Sequence, residues 1–177
     1  MTYEYAVYYK LLLLCGYTDE LYNFIDQALI EQDPISPVVL DLSSAGTNKN
    51  KLLSALNAYL LDVNDSDIDY DGTVFHLVLA FLQRKYTQEA MSMAELTKLM
   101  YHIAAHTNRV YDDPWHTMSV LYLLLDEAES GYIDKESYLR QFHAFLHDGA
   151  SIFNPMPPTK PSFLKRMPKK IARKFSL

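Results

Sequence analysis

At 177 residues and 49% hydrophobic composition, the chain can bury a core of its own and is not the composition of a disordered segment. One cysteine, Cys15, excludes a disulfide framework and a thiolate metal cluster, and no run approaches the roughly 18 apolar residues of a membrane span. The formal net charge of −6 hides an acidic body: residues 1–154 carry 22 acidic and 9 basic side chains, a net of −13, which disfavours nucleic acid and suits a basic protein.

From Tyr3 to Leu14 the apolar residues run almost all round a helix, broken mainly by Glu4 and Lys10, as in a mostly buried helix. Leu11 to Cys15 imitates a lipoprotein signal, but Leu14 is too large for the position before the cysteine. Glu4 stands where positive charge belongs, so a soluble, cytoplasmic chain is expected. Gly16 ends this helix and Thr18 is placed to cap the next, in which Leu21, Phe24, Ile25, Ala28 and Leu29 keep helical spacing. Ser36 and Pro37 read as N-cap and first position of a short third helix through Leu42, stopped by Gly46. Leu52, Leu53, Leu56, Leu60 and Val63 line a fourth.

Thr73 to Lys85 is the most apolar segment and is too long for an ordinary strand, which predicts a central buried helix. Ser92 and Glu95 form a capping box before Leu96, Leu99, Met100 and Ile103. Asp113 and Pro114 open a helix carrying Met118, Leu121, Tyr122 and Leu125, ended by Gly131. Asp134 caps the last, with Tyr138, Phe142, Phe145 and Leu146 on one face. Eight helical patterns and no alternating strand predict a single all-α domain over residues 1–154. Residues 155–177 follow as a Pro-rich linker and basic tail, with 7 basic and no acidic side chains.

Between the fourth and fifth helices lies Asp62-Val-Asn-Asp65-Ser-Asp67-Ile-Asp69-Tyr70-Asp71, five carboxylates in ten residues with no Lys or Arg among them. Asp67-x-Asp69-x-Asp71-Gly72 matches the first half of a calcium loop, but Val78 stands where the bidentate glutamate belongs. A second echo, Asp126 to Ser137, lacks ligands at Ala128 and Ser137. The structural reading is that Asp69 or Asp71 caps the buried helix and the others are solvated. The functional reading is an anionic patch for a basic partner, with Asp62, Asp65, Asp67, Asp69, Tyr70 and Asp71 in the contact.

His102/His106 and His143/His147 have the i, i+4 spacing of metal ligands, yet both pairs fall on polar helix faces beside Glu95 and Lys98 or Glu136 and Arg140. His147-Asp148 is similar to the doublet of metal phosphohydrolases, but no later acidic residue completes such a set. His76 is expected to be a hydrogen-bonded core residue, Cys15 a small buried hydrophobe, and Trp115 a core side chain. Among the tyrosines, Tyr3, Tyr8, Tyr9 and Tyr122 are expected at the core edge. No phosphate loop, nucleophile elbow or catalytic triad is visible, so no catalytic residue, cofactor or metal site is expected.

A small acidic helical body with a carboxylate cluster and no catalytic set resembles the all-helical immunity proteins of bacterial polymorphic toxin systems, including contact-dependent inhibition. The resemblance is carried by Leu21–Leu29, by Asp-Pro-Ile-Ser-Pro-Val-Val-Leu-Asp-Leu from Asp33 to Leu42, and by Phe75–Leu82. It implies tight binding to a cognate toxin, often a nuclease, whose active site is blocked without any catalysis. Two alternatives stand beside it. One is a metal-dependent helical-bundle hydrolase using the histidine pairs. The other is a membrane-associated adaptor whose Lys165, Arg166, Lys169, Lys170, Arg173 and Lys174 meet anionic lipid.

Overall fold

The computed structural model of the protein describes residues 1–153, and the Pro-rich linker and basic tail lie outside them. Eight α-helices and no strand make up the described residues. α1 (Tyr3–Leu14) starts at Thr2, whose hydroxyl accepts the Tyr5 N–H at 3.4 Å. Apolar on nearly every side, it buries Ala6, Val7, Tyr8, Tyr9, Leu11, Leu12 and Leu13 and packs on both α4 and α6. Its first turn surfaces: Tyr3 and Tyr5 are exposed, Tyr3 stacking on Tyr59 at 5.3 Å.

α2 (Asp19–Glu31), α3 (Pro37–Ala45) and α4 (Lys49–Tyr59) pack in succession, α2 on α3 and α3 on α4. The i, i+4 and i+7 positions Leu21, Ile25 and Ala28 are the buried ones of α2, as the spacing requires. Two caps differ from expectation. Thr18 takes a helical backbone conformation and its side chain makes no cap bond. Ser36 does precede Pro37 at the N-cap, but its hydroxyl is buried without a partner. α4 ends at Tyr59, so Leu60 and Val63 pack half-buried from the turns beyond it.

α5 (Phe75–Thr87) buries Phe75, Val78, Leu79, Phe81 and Leu82. Regular helix starts two residues later than the apolar run predicts, because Tyr70–Val74 form a π-helical turn. His76 corrects a second expectation. It is exposed, one turn before exposed Ala80 on the face away from the core, and its Nδ1 lies 2.6 Å from the Gly72 carbonyl.

α6 (Met93–His106) opens with the expected capping box: the Ser92 hydroxyl accepts the Glu95 N–H at 3.3 Å, and the Glu95 carboxylate accepts the Ser92 N–H at 3.1 Å. α7 (Trp115–Glu129) packs along α6 in the largest helix–helix contact. Asp113 anchors its first turn, accepting the Thr117 N–H and, at 2.8 Å, the Thr117 hydroxyl. α8 (Lys135–Asp148) is capped by Asp134, whose carboxylate accepts the Ser137 N–H at 2.7 Å.

Trp115, Phe81, Tyr138, Phe142 and Phe145 are the largest fully buried side chains, the phenylalanines each worth roughly 1.5–3 kcal/mol of burial. Gly149 is needed where α8 ends. Its backbone is left-handed at φ +69°, and a Cβ there would lie 2.6 Å from the Phe75 ring. The chain then crosses to α7, where the Ser151 hydroxyl donates to Asp113 at 2.7 Å and the Phe153 ring lies tilted against His116. None of the described helices is long and apolar enough to cross a membrane.

Candidate acidic binding surface

The α4–α5 connection turns back on itself twice. Asp65–Asp67 form one 3-10 turn, and the π-helical turn Tyr70–Val74 leads into α5. Ile68 between them is buried and pins the loop to the core. Asp69 supplies the cap that either Asp69 or Asp71 was placed to make. Its two carboxylate oxygens accept the Gly72 N–H at 3.0 Å, the Thr73 N–H at 2.8 Å and the Thr73 hydroxyl at 2.9 Å. These bonds, the Thr73 backbone donor foremost, hold the Asp69 carboxyl below its ordinary range. Gly72 is required here for space, since a Cβ would collide with the Asp69 carboxylate.

Asp71 has a different partner. Its carboxylate accepts the indole N–H of Trp115 at 3.0 Å, so the fully buried tryptophan at the start of α7 reaches the acidic loop through its one polar atom. Arg109 reaches the loop from the α6–α7 connection. Its guanidinium donates to Asp65 at 3.1 Å, lies 3.9 Å from Asp71 and stacks on the Tyr70 ring at 4.5 Å. The stretch lacks basic residues of its own and takes one from 44 residues downstream.

Tyr70 is therefore half-buried beneath Arg109. Burial first, and the Asp65 charge beside it, push its phenol up to about 12. The six residues assigned to the partner contact divide by their bonds. Asp69, Tyr70 and Asp71 are bonded into the fold, Asp62 and Asp67 face solvent, and Asp65 does both, exposed but bonded to Arg109. Asp65 keeps 70% of its side chain exposed despite its bond to Arg109. Asp67 touches only the neutral side chains of Asn64 and Ser66.

Reading the sequence did not assign any of three neighbours to this surface. Leu61 and Tyr111 are 79% and 87% exposed, one in each of the two loops, and exposed Asp112 follows Tyr111. Large apolar side chains inside polar loops were the available signal. Between the loops opens a cleft of about 570 Å³, lined by Lys10, Leu60, Asp65, Tyr70, His106 and Arg109 among others. The surface thus combines exposed carboxylates, two exposed apolar side chains and a recess.

Of the remaining candidates, His106 lines the cleft and Trp115 bonds to Asp71, and the others lie elsewhere. His102, His106, His143 and His147 are all exposed, and His147 pairs with its neighbour Asp148. Among the described residues no three His, Cys, Asp or Glu side chains come together as a metal ion would require. Cys15 is half-buried rather than enclosed, and burial pushes its thiol up to about 11, leaving it uncharged and a poor nucleophile. Trp115, Tyr8 and Tyr9 are core side chains, while Tyr122 sits at the surface against Tyr101 at 5.3 Å. The basic residues from Lys165 to Lys174 fall outside the described residues. Compared with protein-family models, curated proteins and solved structures, the chain matches none.

Proposed function

We propose that the protein is a toxin-neutralising immunity protein that acts by binding and catalyses nothing. Its partner is a basic toxin, a nuclease by preference, whose substrate-binding surface it covers in the cytoplasm. The observation that carries this reading is the braced acidic connection: Asp62, Asp65 and Asp67 stand in solvent on a loop tied to the core at Ile68, Asp71 and Tyr70. Carboxylates so placed can pair with the Arg and Lys side chains that otherwise grip phosphate. A body of net −13 over residues 1–154 steers such a partner inward and speeds its capture. Leu61 and Tyr111 supply the apolar contact that charge pairs alone lack.

The test co-expresses the full chain with any secreted nuclease found encoded beside its gene. Replacing Asp62, Asp65 and Asp67 together with Asn should slow association and flatten its salt dependence while circular dichroism stays unchanged. Asp69 is left alone because it caps α5, and Asp71 because it bonds Trp115. Equal protection of cells and equal kinetics at low and high salt would remove the acidic connection from the contact.

A further inference from the structure

Beyond Gly149, which closes α8, the chain runs back to the first turn of α7. There the Ser151 hydroxyl donates to Asp113 at 2.7 Å and the Ile152 N–H donates to the Thr117 hydroxyl oxygen at 3.4 Å. The Phe153 ring centroid lies 4.6 Å from that of His116, whose Nδ1 is 3.0 Å from the Val110 carbonyl. Three successive residues thus strap the chain to the body. Phe153 stays 51% exposed, so the segment after it leaves from the surface at a fixed point.

That segment is chemically unlike the body. Residues 1–154 carry a net −13, whereas residues 155–177, outside the described residues, have seven basic and no acidic side chains. Six of the seven fall in adjacent pairs, Lys165-Arg166, Lys169-Lys170 and Arg173-Lys174, each starting four residues after the last. Phe163, Met167, Ile171 and Phe175 flank the pairs at the same interval. Cations alone suit any polyanion. Phenylalanine can stack on bases, but Leu164, Met167, Ile171 and Leu177 gain only by leaving water, which acyl chains offer and a phosphate backbone does not. We propose that this tail tethers the protein to an anionic lipid surface, the cation pairs meeting headgroup phosphates and the apolar side chains entering the interface. The tether is independent of the toxin capture proposed above and requires no particular conformation of the tail. The acidic body has the wrong charge for such a surface, and the linker resolves the conflict. Pro155, Pro157, Pro158 and Pro161 fall within the eight residues 155–162. At about 3.1 Å per residue, a Pro-rich segment of that length reaches roughly 25 Å, against a screening length of about 8 Å at physiological salt. The body can therefore stay outside the lipid's field while the tail is engaged.

Vesicle sedimentation of the full chain is the test. One set of vesicles is phosphatidylcholine alone, the other an equal mixture with phosphatidylglycerol, each at low and at physiological salt. The parent should bind the mixed vesicles, more tightly at low salt, and leave the neutral ones in suspension unaccompanied. Replacing all six paired cations with Gln should weaken binding more than about tenfold. Replacing Phe163, Ile171 and Phe175 with Ser keeps the charge and should weaken it about three- to tenfold. Circular dichroism and melting temperatures, unchanged in both variants, keep the comparison on the tail. No binding of the parent to mixed vesicles at physiological salt, equal binding to neutral ones, or parent-like binding by either variant overturns the tether. Release of the parent from mixed vesicles by an RNA or DNA oligonucleotide at equal phosphate concentration overturns it too, and makes nucleic acid the ligand.

Discussion

Residues 62–71, between α4 and α5, and residues 126–136, from the last turn of α7 into the first of α8, each carry five acidic side chains. Both also imitate a calcium loop, yet they are built in opposite ways. In the α7–α8 connection the bonds are local. Gly131 turns the chain at φ +78°, Asp134 caps the helix three residues ahead, and Tyr132 stands 85% exposed. In the α4–α5 connection, Asp65 and Asp71 are held by Arg109 and Trp115 from 44 residues downstream. Acidic composition alone therefore does not say whether a loop is solvated surface or a braced element. Side-chain bonds from distant residues decide it, and the carboxylates of the first loop have them.

That contrast breaks most visibly at its anchors. Trp115→Ala should cost about 3–5 kcal/mol, since it empties a fully buried site and removes the indole donor to Asp71. Tyr132→Ala, in the other loop, should stay within about 0.5 kcal/mol. Chemical denaturation measures both, and comparable losses would mean the two loops are anchored alike. Next in size is Gly72→Ala, expected to cost about 1–2 kcal/mol by pushing the Asp69 carboxylate off its three donors. Asp134→Ala should cost about 1 kcal/mol and leave amide exchange around Trp115 unchanged, because its bond is local. Faster exchange at Trp115 in that variant would show the loops to be coupled.

Acid sharpens the same comparison through Asp113, in the α6–α7 connection that also carries Arg109. Partial burial pushes the Asp113 carboxyl up, but the donors Ser151 and Thr117 outweigh it and hold the group below its ordinary value. Its contribution is therefore fully present above about pH 4 and is lost as pH falls through the lowered folded value. Asp69 works in the same direction. Denaturation midpoints of Asp113→Asn should accordingly fall less steeply than the parent's between pH 5 and pH 3, and parallel slopes would discard the linkage. The smallest effect belongs to Glu136→Gln. It breaks only an exposed pair with Arg140 at 4.0 Å, and should change stability by no more than about 0.5 kcal/mol.

Local signals carried much of this fold. The Ser92 and Glu95 box, the Asp134 cap and the stripe Leu21, Ile25 and Ala28 are all short-range patterns, and they are where the sequence places them. The core assignment of Trp115 holds for the same reason, as an apolar side chain in a helix's first turn. His76 was legible but misread, because Thr73, Gln83 and Thr87, which share its side of the helix, already mark a polar face. Arg109 was not legible. Its partners lie 44 and 38 residues away in the chain, and no periodicity links a loop cation to a distant loop carboxylate. The candidate surface was readable as composition, then, while its division into bonded and free carboxylates needed the tertiary structure.

Trp115 is the only tryptophan in the chain, and its indole N–H ends on an acidic-loop carboxylate. The molecule thereby carries its own optical reporter. Indole emission depends on the charge and solvation at its nitrogen, and here that nitrogen touches the loop that Arg109 braces. Anything that shifts Asp71 should change the emission of a single, buried and unambiguous fluorophore, with no label attached. A stopped-flow trace would then time the movement of the loop directly, separating a rigid encounter from one in which the carboxylates rearrange.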